Sequence, residues 1–312
     1  MTPQLSIIIV NWKVRDLLRA CLQSLRDVSG LGWRQMQVIV VDNASGDGSV
    51  EMLAAEFPDV AVIANSDNAG FGRANNQALG LCTAPYLMLL NPDTLILDGA
   101  VRRLLEHMQA APDVAVMGCR LLNADRSLQR WTGGAFPSAW NVATHYLFLD
   151  LLLPRALRPA PLYLDQDAAI DVDVDWVSGA CMILRRSMLG GTLFDPGFFM
   201  YGEDMELCHR LKLAGHRVVY TPAASIIHYQ GASMKQQQGD VLLSSLKGPR
   251  QFYRQMRGER ALWWIDSMTV GGFGLRCALY TIGTWLHPGA NYAAKAASSK
   301  DLMQRAWRIQ RG

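Results

Sequence analysis

The sequence lacks paired cysteines. Its six cysteines are scattered through 312 residues, and no two of them form a CxxC pair. Disulfide frameworks and zinc ribbons both need thiols at short, regular spacings, so neither is expected here. We predict reduced, buried thiols, as in a cytosolic protein.

Two familiar phosphate-binding motifs are also missing. No GK[ST] occurs, which excludes a P-loop, and the turn after the second predicted strand has too few glycines for a dinucleotide fingerprint. Any nucleotide must therefore be bound by a different arrangement.

Charge is scarce and nearly balanced. Only 18% of the residues are charged and the net charge is +3, which is typical of a folded protein and disfavours nucleic acid as a partner. The total hides an asymmetry, because residues 232–312 hold 12 Lys and Arg against four Asp and Glu. We expect the two parts of the chain to have different roles.

Long apolar runs are few. The first one, LSIIIV, has no basic region before it and is too short for a signal sequence, so it predicts a strand. Met268–Leu286 approaches the length of a membrane span, but Arg276 interrupts it near the middle. Contact with a membrane surface is favoured over a span.

Strands and helices alternate through the first 118 residues. LSIIIV, MQVIVV, VAVIA, YLMLL and VAVMG are predicted strands, with helical spacing of apolar residues between most of them. Continuous apolar strands in this order are typical of an α/β fold with a mostly parallel sheet covered on both faces. Ligands of such sheets bind beyond the carboxyl ends of the strands, where the sequence has Asn11, Asp42, Asn43, Asn91 and Asp93.

Each polar motif has an ordinary structural interpretation by itself. VVDNASGDGS can be a strand–turn–helix junction and NPDT a turn opened by Asn-Pro, although a carboxylate in NPDT can also ligate Mg²⁺ or Mn²⁺. A lone histidine such as His228 is more often structural than a ligand. Asp204, at the start of a predicted helix, can simply favour the helix dipole.

Six stretches in a fixed order change this assessment. They are LSIIIVNWK, VVDNASGDGS, NAGFGRANNQAL, YLMLLNPDT, VSGACMILRR and FFMYGEDMELCHRLKLAGHRVVYTPAASIIHYQG. Together they resemble glycosyltransferase family 2, with its GT-A type fold, and within it the rhamnosyltransferase-like branch. The resemblance covers residues 4–231. It implies a nucleotide-sugar-binding half at 1–118 and an acceptor-binding and catalytic-base half at 119–231. Residues 232–312 carry no motif of the family, and their composition predicts a basic, mainly helical extension.

The resemblance implies which residues bind the donor. Asp42 would accept a hydrogen bond from the nucleobase. Asp93 matches the last acid of the family's DxD metal motif, Asn91 stands where the first acid often is, and His228 matches a position that can complete the coordination of Mg²⁺ or Mn²⁺. The full set of donor contacts is Asn11, Asp42, Asn43, Asn68, Arg73, Asn75, Asn91 and Asp93.

The resemblance also assigns the acceptor side. Asp204, the second acid of GED, matches the general base that takes the proton of the acceptor hydroxyl. Glu203 would hold the acceptor or the base, and Phe198, Phe199 and Tyr201 would form an apolar wall for a sugar ring. The resulting reaction is an inverting transfer from a nucleoside-diphosphate sugar, with dTDP-rhamnose as first choice, to a saccharide or a lipid-linked saccharide of the cell envelope.

Two other functions account for part of the sequence. A nucleotidyltransferase that makes a sugar nucleotide would have a glycine-rich basic loop after the first strand, where this chain has NWKVRD. A non-catalytic carbohydrate-binding homologue would not need Asp42, Asp93, Asp204 and His228 together. Both are less consistent with the sequence than a glycosyltransferase.

The basic extension predicts contact with an anionic membrane. Arg250, Arg254, Arg257 and Arg260 are three or four residues apart, a spacing that would place them on one helical face, and a Trp-containing apolar segment follows. Basic residues beside aromatic and aliphatic side chains suit lipid headgroups. This predicts a cytoplasmic protein that is peripheral at the inner face of the cytoplasmic membrane. A helical cap on the catalytic domain and a homodimer contact are the alternatives.

Overall fold

The computed structural model describes residues 2–130, 132–164, 168–229, 240–287 and 291–311. The chain forms two compact units. One comprises residues 1–134 and 163–241, and the other comprises residues 135–162 and 242–312.

The first unit contains the strands and five of the helices. The strands are β1 (Leu5–Asn11), β2 (Met36–Asp42), β3 (Ala61–Ala64), β4 (Tyr86–Leu90), β5 (Thr94–Ile96), β6 (Val114–Leu122), β7 (Gly133–Gly134), β8 (Val172–Asp173), β9 (Trp176–Val177), β10 (Cys181–Arg185) and β11 (Arg217–His228). The helices are α1 (Arg15–Val28), α2 (Ser49–Glu56), α3 (Phe71–Leu79), α4 (Ala100–Ala110) and α6 (Glu203–Leu213).

The main sheet has the strand order β3-β2-β1-β4-β10-β6-β11-β5, with β8 added on β11. β3, β2, β1 and β4 are parallel to one another, and β6 is parallel to β11. β10 is antiparallel to both of its neighbours and β5 is antiparallel to β11. The predicted α/β fold with a mostly parallel sheet is confirmed.

The core forms because the strands are apolar on both faces. Leu18, Leu22 and Leu25 of α1 and Leu104 of α4 are buried with the strands in one cluster, as the helical spacing of these residues predicts. Five of the six cysteines are buried, Cys277 is half-buried, and all six are free thiols. The prediction of unpaired cysteines is confirmed.

β11 joins two segments that look like separate strands in the sequence. Its pairing with β6 shifts register between Thr221 and Ser225, on either side of Pro222. Proline has no amide hydrogen to donate to a ladder, so it is accommodated where the pairing is interrupted. The strand then continues to His228, which it delivers to the carboxyl-terminal edge of the sheet beside β5.

The second unit is helical. Its helices are α5 (Ala139–Leu147), α7 (Asp240–Arg257), α8 (Glu259–Leu286) and α9 (Tyr292–Arg311), and α8 packs against both α5 and α9. Gly272 permits a close approach to α5, since a Cβ there would lie 2.5 Å from the Cβ of Tyr146. Arg276 donates to the carbonyl oxygens of His145 at 2.9 Å and Tyr146 at 3.4 Å, which accounts for a charge inside this apolar segment.

The prediction that four arginines share one helical face is wrong. α7 ends at Arg257, and Gly258 (φ 81°) separates it from α8, which contains Arg260. Glycine adopts this left-handed conformation at little cost, so the chain turns there. Arg250 also binds Asp266 at 3.0 Å instead of facing solvent alone.

Within the described part of the chain, no helix combines the length and apolarity that crossing a membrane requires.

Candidate active site

Asn11 and Asp42 form a buried polar cluster at the ends of β1 and β2, where they are paired in register. The Asn11 Nδ2 donates to Asp42 Oδ1 at 2.7 Å and to the hydroxyls of Ser45 and Ser49 at 3.1 and 2.9 Å. Asp42 also accepts from the backbone amide of Ser45 at 3.0 Å and is 3% exposed. The carboxylate therefore holds the turn after β2, and its contact with a nucleobase stays a prediction.

Gly70 connects this turn to the acidic motif. Asn43 Nδ2 donates to the Gly70 carbonyl at 3.3 Å, and Asn68 Oδ1 accepts from the Gly70 amide at 3.0 Å. A Cβ on Gly70, whose φ is 81°, would lie 2.7 Å from the carbonyl oxygen of Phe199. Only glycine allows the two backbones to approach this closely. The structure thus brings Asn43 and Asn68 beside the segment that leads to Asp204.

Arg73 and Asn75 differ in accessibility. The Arg73 side chain is exposed and its Nε donates to the Pro196 carbonyl at 3.4 Å. Asn75 is 1% exposed, and its Nδ2 donates to the carbonyl of Phe71 one turn earlier in α3. Asn75 is thus bonded within its own helix and does not join the accessible polar groups. A donor contact by either residue stays a prediction.

Asp93, Asn91 and His228 come together where β4 ends and β5 begins. His228 Nε2 lies 3.3 Å from Asp93 Oδ1 and 3.3 Å from Asn91 Nδ2. Asp93 and His228 are both buried, and the Tyr229 amide donates to the Asp93 carbonyl at 2.8 Å. Residues 135 or more positions apart in the chain are thereby held at hydrogen-bond distances.

Glu203 and Asp204 open α6 with different environments. Glu203 is 5% exposed, and its Oε2 has no hydrogen-bond partner among the described residues. Asp204 is half-buried and accepts from the backbone amides of Gly179 at 3.3 Å and Met205 at 2.8 Å. Burial, with the charge of Asp204 added, raises the pKa of Glu203 to about 8, whereas burial opposed by these backbone bonds raises the pKa of Asp204 to about 6.

Glu203 and Asp204 differ in how readily each loses its proton. The raised pKa favours a proton on Glu203, whose Oε2 has no partner among the described residues, whereas the two backbone bonds to Asp204 favour its ionised form. Asp204 is therefore the acid of this pair that can accept a proton. Glu203 can instead donate a hydrogen bond.

Tyr201 links the acid pair to the NPDT turn. Burial, followed by the negative charges of Glu203, Asp93 and Asp204, raises the pKa of Tyr201 to about 12. Its backbone is left-handed, with φ at 69°, an uncommon conformation for a residue other than glycine and one that clusters at functional sites. Phe199 is 52% exposed, while Phe198 is buried in the core. Phe198 therefore does not belong to an exposed apolar wall, and acceptor contact by Phe199 and Tyr201 stays a prediction.

The backbone at Gly179 and Ala180 contacts both of these groups. It lies in the motif VSGACMILRR, in which the sequence analysis predicted no site residue. The amide of Asn91 donates to the Ala180 carbonyl at 2.9 Å, and the neighbouring Gly179 amide donates to Asp204. The segment therefore touches both the NPDT turn and Asp204. Gln129 was missed entirely, since SLQRW has no motif around it, yet its Oε1 lies 2.7 Å from His228 Nδ1.

The side chains of Asp93 and His228 fit a divalent cation that is also coordinated by a substrate. Asp93 would supply a carboxylate oxygen and His228 an imidazole nitrogen. No group of three or more His, Cys, Asp or Glu suited to a metal occurs in the part of the chain that the structure describes. Mg²⁺ usually keeps several waters and takes one or two carboxylates together with substrate phosphates, so a small protein set is sufficient.

Comparison with known proteins decides the family. The pattern of Glycosyl transferase family 2 matches residues 6–191, more than half of the chain. The chain belongs to glycosyltransferase family 2. It is a glycosyltransferase, and the resemblance drawn from its six motifs is confirmed.

Curated relatives support the same branch. The chain is 26% identical over 281 residues to N-acetylglucosaminyl-diphospho-decaprenol L-rhamnosyltransferase of Mycobacterium tuberculosis, covering 85% of this chain and 87% of that protein. It is 28% identical over 169 residues to the rhamnosyltransferase WbbL of Escherichia coli, covering 51% of this chain and 61% of that protein.

Solved structures establish the fold. The mannosyltransferase PcManGT of Pyrobaculum calidifontis, in complex with GDP-Man and Mn²⁺, matches with a TM-score of 0.56 at 16% identity over 99% of this chain and 87% of its own. GalNAc-T7 with UDP, GalNAc and Mn²⁺ matches with a TM-score of 0.54 at 15% identity over 82% of this chain and 50% of its own. The predicted GT-A fold is confirmed.

Proposed function

We propose that this glycosyltransferase is inverting and transfers a hexose, with rhamnose from dTDP-rhamnose as first choice, to a hydroxyl of a saccharide or lipid-linked saccharide. One observation carries the proposal. The backbone of Gly179 and Ala180 is hydrogen-bonded both to the Asp204 carboxylate and to the NPDT turn, in which Asp93 lies next to His228. The proposed proton acceptor, Asp204, and the proposed diphosphate-binding group, Asp93 with His228, therefore lie at the same edge of the sheet.

Asp204 acts as the general base. It takes the proton of the acceptor hydroxyl as that oxygen forms a bond to the anomeric carbon. The bond from that carbon to the diphosphate oxygen breaks, and its electron pair leaves with the diphosphate. Such base catalysis is typically worth about 10²–10⁴-fold in rate. No covalent intermediate with the protein is needed.

Glu203 positions the acceptor in this scheme. Burial raises the pKa of its carboxyl and so favours the protonated form, and its Oε2 has no hydrogen-bond partner among the described residues, so it can donate to an acceptor oxygen. Phe199 and Tyr201 supply the apolar surface on which a sugar ring packs. A buried neutral carboxyl next to an ionised one divides the two tasks between adjacent residues.

Asp93 and His228 would hold Mg²⁺ or Mn²⁺. The cation would neutralise the negative charge that develops on the leaving diphosphate. Asn91, in place of an acid, leaves the site with one negative charge fewer, and its Nδ2 lies near His228 Nε2. The Mn²⁺ and nucleotides in the names of the two structural neighbours support this assignment.

The relatives support the choice of donor and acceptor. Both curated relatives named above are rhamnosyltransferases, which favours a rhamnose donor over other dTDP- or UDP-sugars. The name of the mycobacterial protein includes a diphospho-decaprenol, a lipid carrier, which favours a lipid-linked acceptor. For this chain Asp42 and Asn11, with Asn43, Asn68, Arg73 and Asn75, are the proposed donor contacts.

A nucleotide-sugar screen tests the proposal. Purified protein is incubated with dTDP-, UDP- and GDP-sugars, and diphosphate release is read with Mn²⁺, with Mg²⁺ and with EDTA, in the presence and absence of lipid-linked saccharides. We expect nucleoside diphosphate as the product, fastest with dTDP-rhamnose. Turnover that requires added inorganic pyrophosphate and yields a nucleoside triphosphate and a sugar-1-phosphate would instead indicate a nucleotidyltransferase. No turnover with any donor, together with saccharide binding, would indicate a binding protein.

We further propose that the second unit places the enzyme at an anionic membrane surface. Along α8 the residues Trp264, Gly271, Leu275, Ile282 and Leu286 are spaced seven and four apart, so they lie on one helical face, and all five are exposed. The exposed apolar side chains of this helix, hereafter the α8 stripe, are Trp263, Trp264, Leu275, Leu279, Ile282, Trp285 and Leu286.

The chemistry of the α8 stripe favours lipid over a second protein surface. Tryptophan is present at both ends, with Trp285 83% exposed, and the ends are about 33 Å apart at 1.5 Å per residue. The second unit holds 13 Lys and Arg against four Asp and Glu, a net charge of +9, and Arg257 and Arg260 are exposed at the start of the stripe. Two copies would repel each other, whereas anionic headgroups attract such a surface. Interfacial tryptophan suits the headgroup region.

Replacing Trp263, Trp264 and Trp285 together with serine is expected to reduce binding to anionic liposomes by at least about tenfold. Each indole buries a large apolar area at a lipid interface. Binding is measured by co-sedimentation with phosphatidylglycerol vesicles at low and at physiological salt, and wild-type binding is expected to weaken with salt.

The matched control is Trp140→Ser, because Trp140 is also an exposed tryptophan of the second unit, on α5. Equal loss with this variant would contradict a specific role for the α8 stripe. A wild-type protein that ignores the vesicles at low salt, or a dimer that the triple variant dissociates, would show that the stripe is a structural or dimer contact.

A further inference from the structure

Gln129 is buried beside the proposed metal ligands and has no role in the reaction described so far. It is 3% exposed and follows β6, where its backbone amide donates to the Leu121 carbonyl at 2.9 Å. Its Oε1 lies 2.7 Å from His228 Nδ1, and its Nε2 donates to the His228 carbonyl at 3.2 Å. One amide therefore contacts both the ring and the backbone of the same histidine.

The direction of the Gln129 amide is determined by its neighbours. Its Nε2 end faces two oxygens that can only accept, the His228 carbonyl and Asn123 Oδ1 at 3.3 Å. A reversed amide would point oxygen at both of them. The Oε1 end must therefore face His228 Nδ1, and since an amide oxygen cannot donate, Nδ1 carries the hydrogen.

Asn123 is held in the orientation that this requires. Its Nδ2 donates to the Leu128 carbonyl at 3.4 Å and to the Ser127 hydroxyl at 2.9 Å. The Ser127 hydroxyl donates its hydrogen to Asp125 Oδ1 at 2.6 Å, so it acts as an acceptor for Asn123. Backbone carbonyls therefore determine the orientations of the Asn123 and Gln129 amides, and the Gln129 amide determines which nitrogen of His228 carries the hydrogen.

The consequence is a defined tautomer of His228. With the hydrogen on Nδ1, the neutral ring presents a lone pair at Nε2, and Nε2 lies 3.3 Å from Asp93 Oδ1. The Nε2 lone pair also faces the Asn91 Nδ2 donor at 3.3 Å, which fits the same tautomer. A lone pair at Nε2 is the form of imidazole that ligates metals, and here it lies beside a carboxylate.

We propose that Gln129 is a positioning residue that holds His228 in its Nδ1–H tautomer and presents Nε2 to the catalytic cation. The inference rests on the proposed function, since it takes Asp93 and His228 as the metal site. Partners that orient a ligating histidine through its other nitrogen typically change metal affinity 10–100-fold when they are removed.

The test measures Mn²⁺ binding without turnover. The affinity for Mn²⁺ is determined by electron paramagnetic resonance of the free ion, with and without dTDP, for wild type and Gln129→Met. Methionine fills a similar volume but cannot accept from Nδ1 as an amide oxygen does. We expect Mn²⁺ affinity to fall about 10–100-fold. Long-range ¹⁵N–¹H spectra of the histidines should show that the Nδ1–H pattern of one ring, identified by its absence in His228→Ala, is lost in Gln129→Met.

The matched control is Gln37→Met. Gln37 is also bonded at both ends of its amide, accepting from Ser6 at 2.7 Å and donating to Leu81 at 2.8 Å, but it lies near the start of β2, at the opposite edge of the sheet. This variant should bind Mn²⁺ like wild type. If both variants lose affinity equally, the loss comes from general destabilisation and the inference is wrong.

A double-mutant cycle with His228→Ala separates a positioning role from a local structural one. Without the histidine, Gln129→Met should cause no further loss of Mn²⁺ affinity. An additional loss of tenfold in that background would overturn the inference. Wild-type protein that fails to bind Mn²⁺ would refute the proposed metal site and the positioning role together, whereas wild-type binding that Gln129→Met leaves intact would refute the positioning role alone.

Discussion

Replacing Asp204 with asparagine is expected to lower the turnover of sugar transfer to below about a tenth of the wild-type value and to leave donor binding nearly unchanged. The amide has almost the same shape but cannot take the acceptor proton, and the loss of a general base typically costs 10²–10⁴-fold. Turnover and donor affinity are measured separately, by diphosphate release with acceptor present and by equilibrium titration with donor alone.

Glu206→Gln is the matched control for this variant. Glu206 lies on the same helix but binds Arg210 at 3.0 Å, which in turn donates to the Leu193 carbonyl at 2.8 Å. Removing its charge should leave turnover close to wild type. An Asp204→Asn enzyme that keeps more than about a tenth of wild-type turnover would rule out a general-base role.

The dependence of turnover on pH is a second test of Asp204 as the general base. Because the base must be ionised and its pKa is raised to about 6, turnover should rise with pH through about 6 and then level off. In Asp204→Asn the remaining activity should lack this rise. A wild-type rate that is flat between pH 5 and pH 7 would point to a base other than Asp204.

Replacing Asp93 with alanine is expected to weaken metal-dependent binding of the intact nucleotide-sugar by at least about tenfold, or about 1.4 kcal/mol. Binding of the free nucleoside should change much less, because a cation at Asp93 would contact the diphosphate and not the base. Both affinities are measured by isothermal titration with Mn²⁺ and with EDTA.

Asp98→Ala provides the comparison for Asp93→Ala. Asp98 is an exposed acid five positions further along the chain, beyond β5, and its removal changes net charge equally. It should leave the metal-dependent gain in affinity intact. Equal losses for nucleotide-sugar and nucleoside in Asp93→Ala would mean that the turn is structural or the fold has collapsed.

Much of the first unit follows from local patterns in the sequence. Continuous apolar segments such as LSIIIV and YLMLL predict buried strands, and the polar residues that follow them must lie at one edge once the strands are parallel. Asn11 and Asp42 meet in register for this reason. Gly215 (φ 88°) follows α6, because a left-handed residue after a helix is readily supplied by glycine.

The two acids of GED illustrate what a sequence pattern can and cannot predict. Their position at the start of a helix after an aromatic segment indicates a site, and the family resemblance assigns the base. Their protonation states depend on burial and on the amide of Gly179, 25 residues earlier. Desolvation and backbone bonds from another element have no signature in local sequence.

What the sequence by itself determined is the order of strands and helices, the edge of the sheet that holds the polar residues, and the family. The tertiary structure alone decided that Gln129 orients His228 across 99 residues, that Asn75 bonds within α3, and that Gly258 divides the basic segment into two helices. Periodicity and composition report which face of an element is apolar. The partner of a buried polar group is chosen by packing between elements distant in the chain, because each such group must find a hydrogen bond wherever the fold places it.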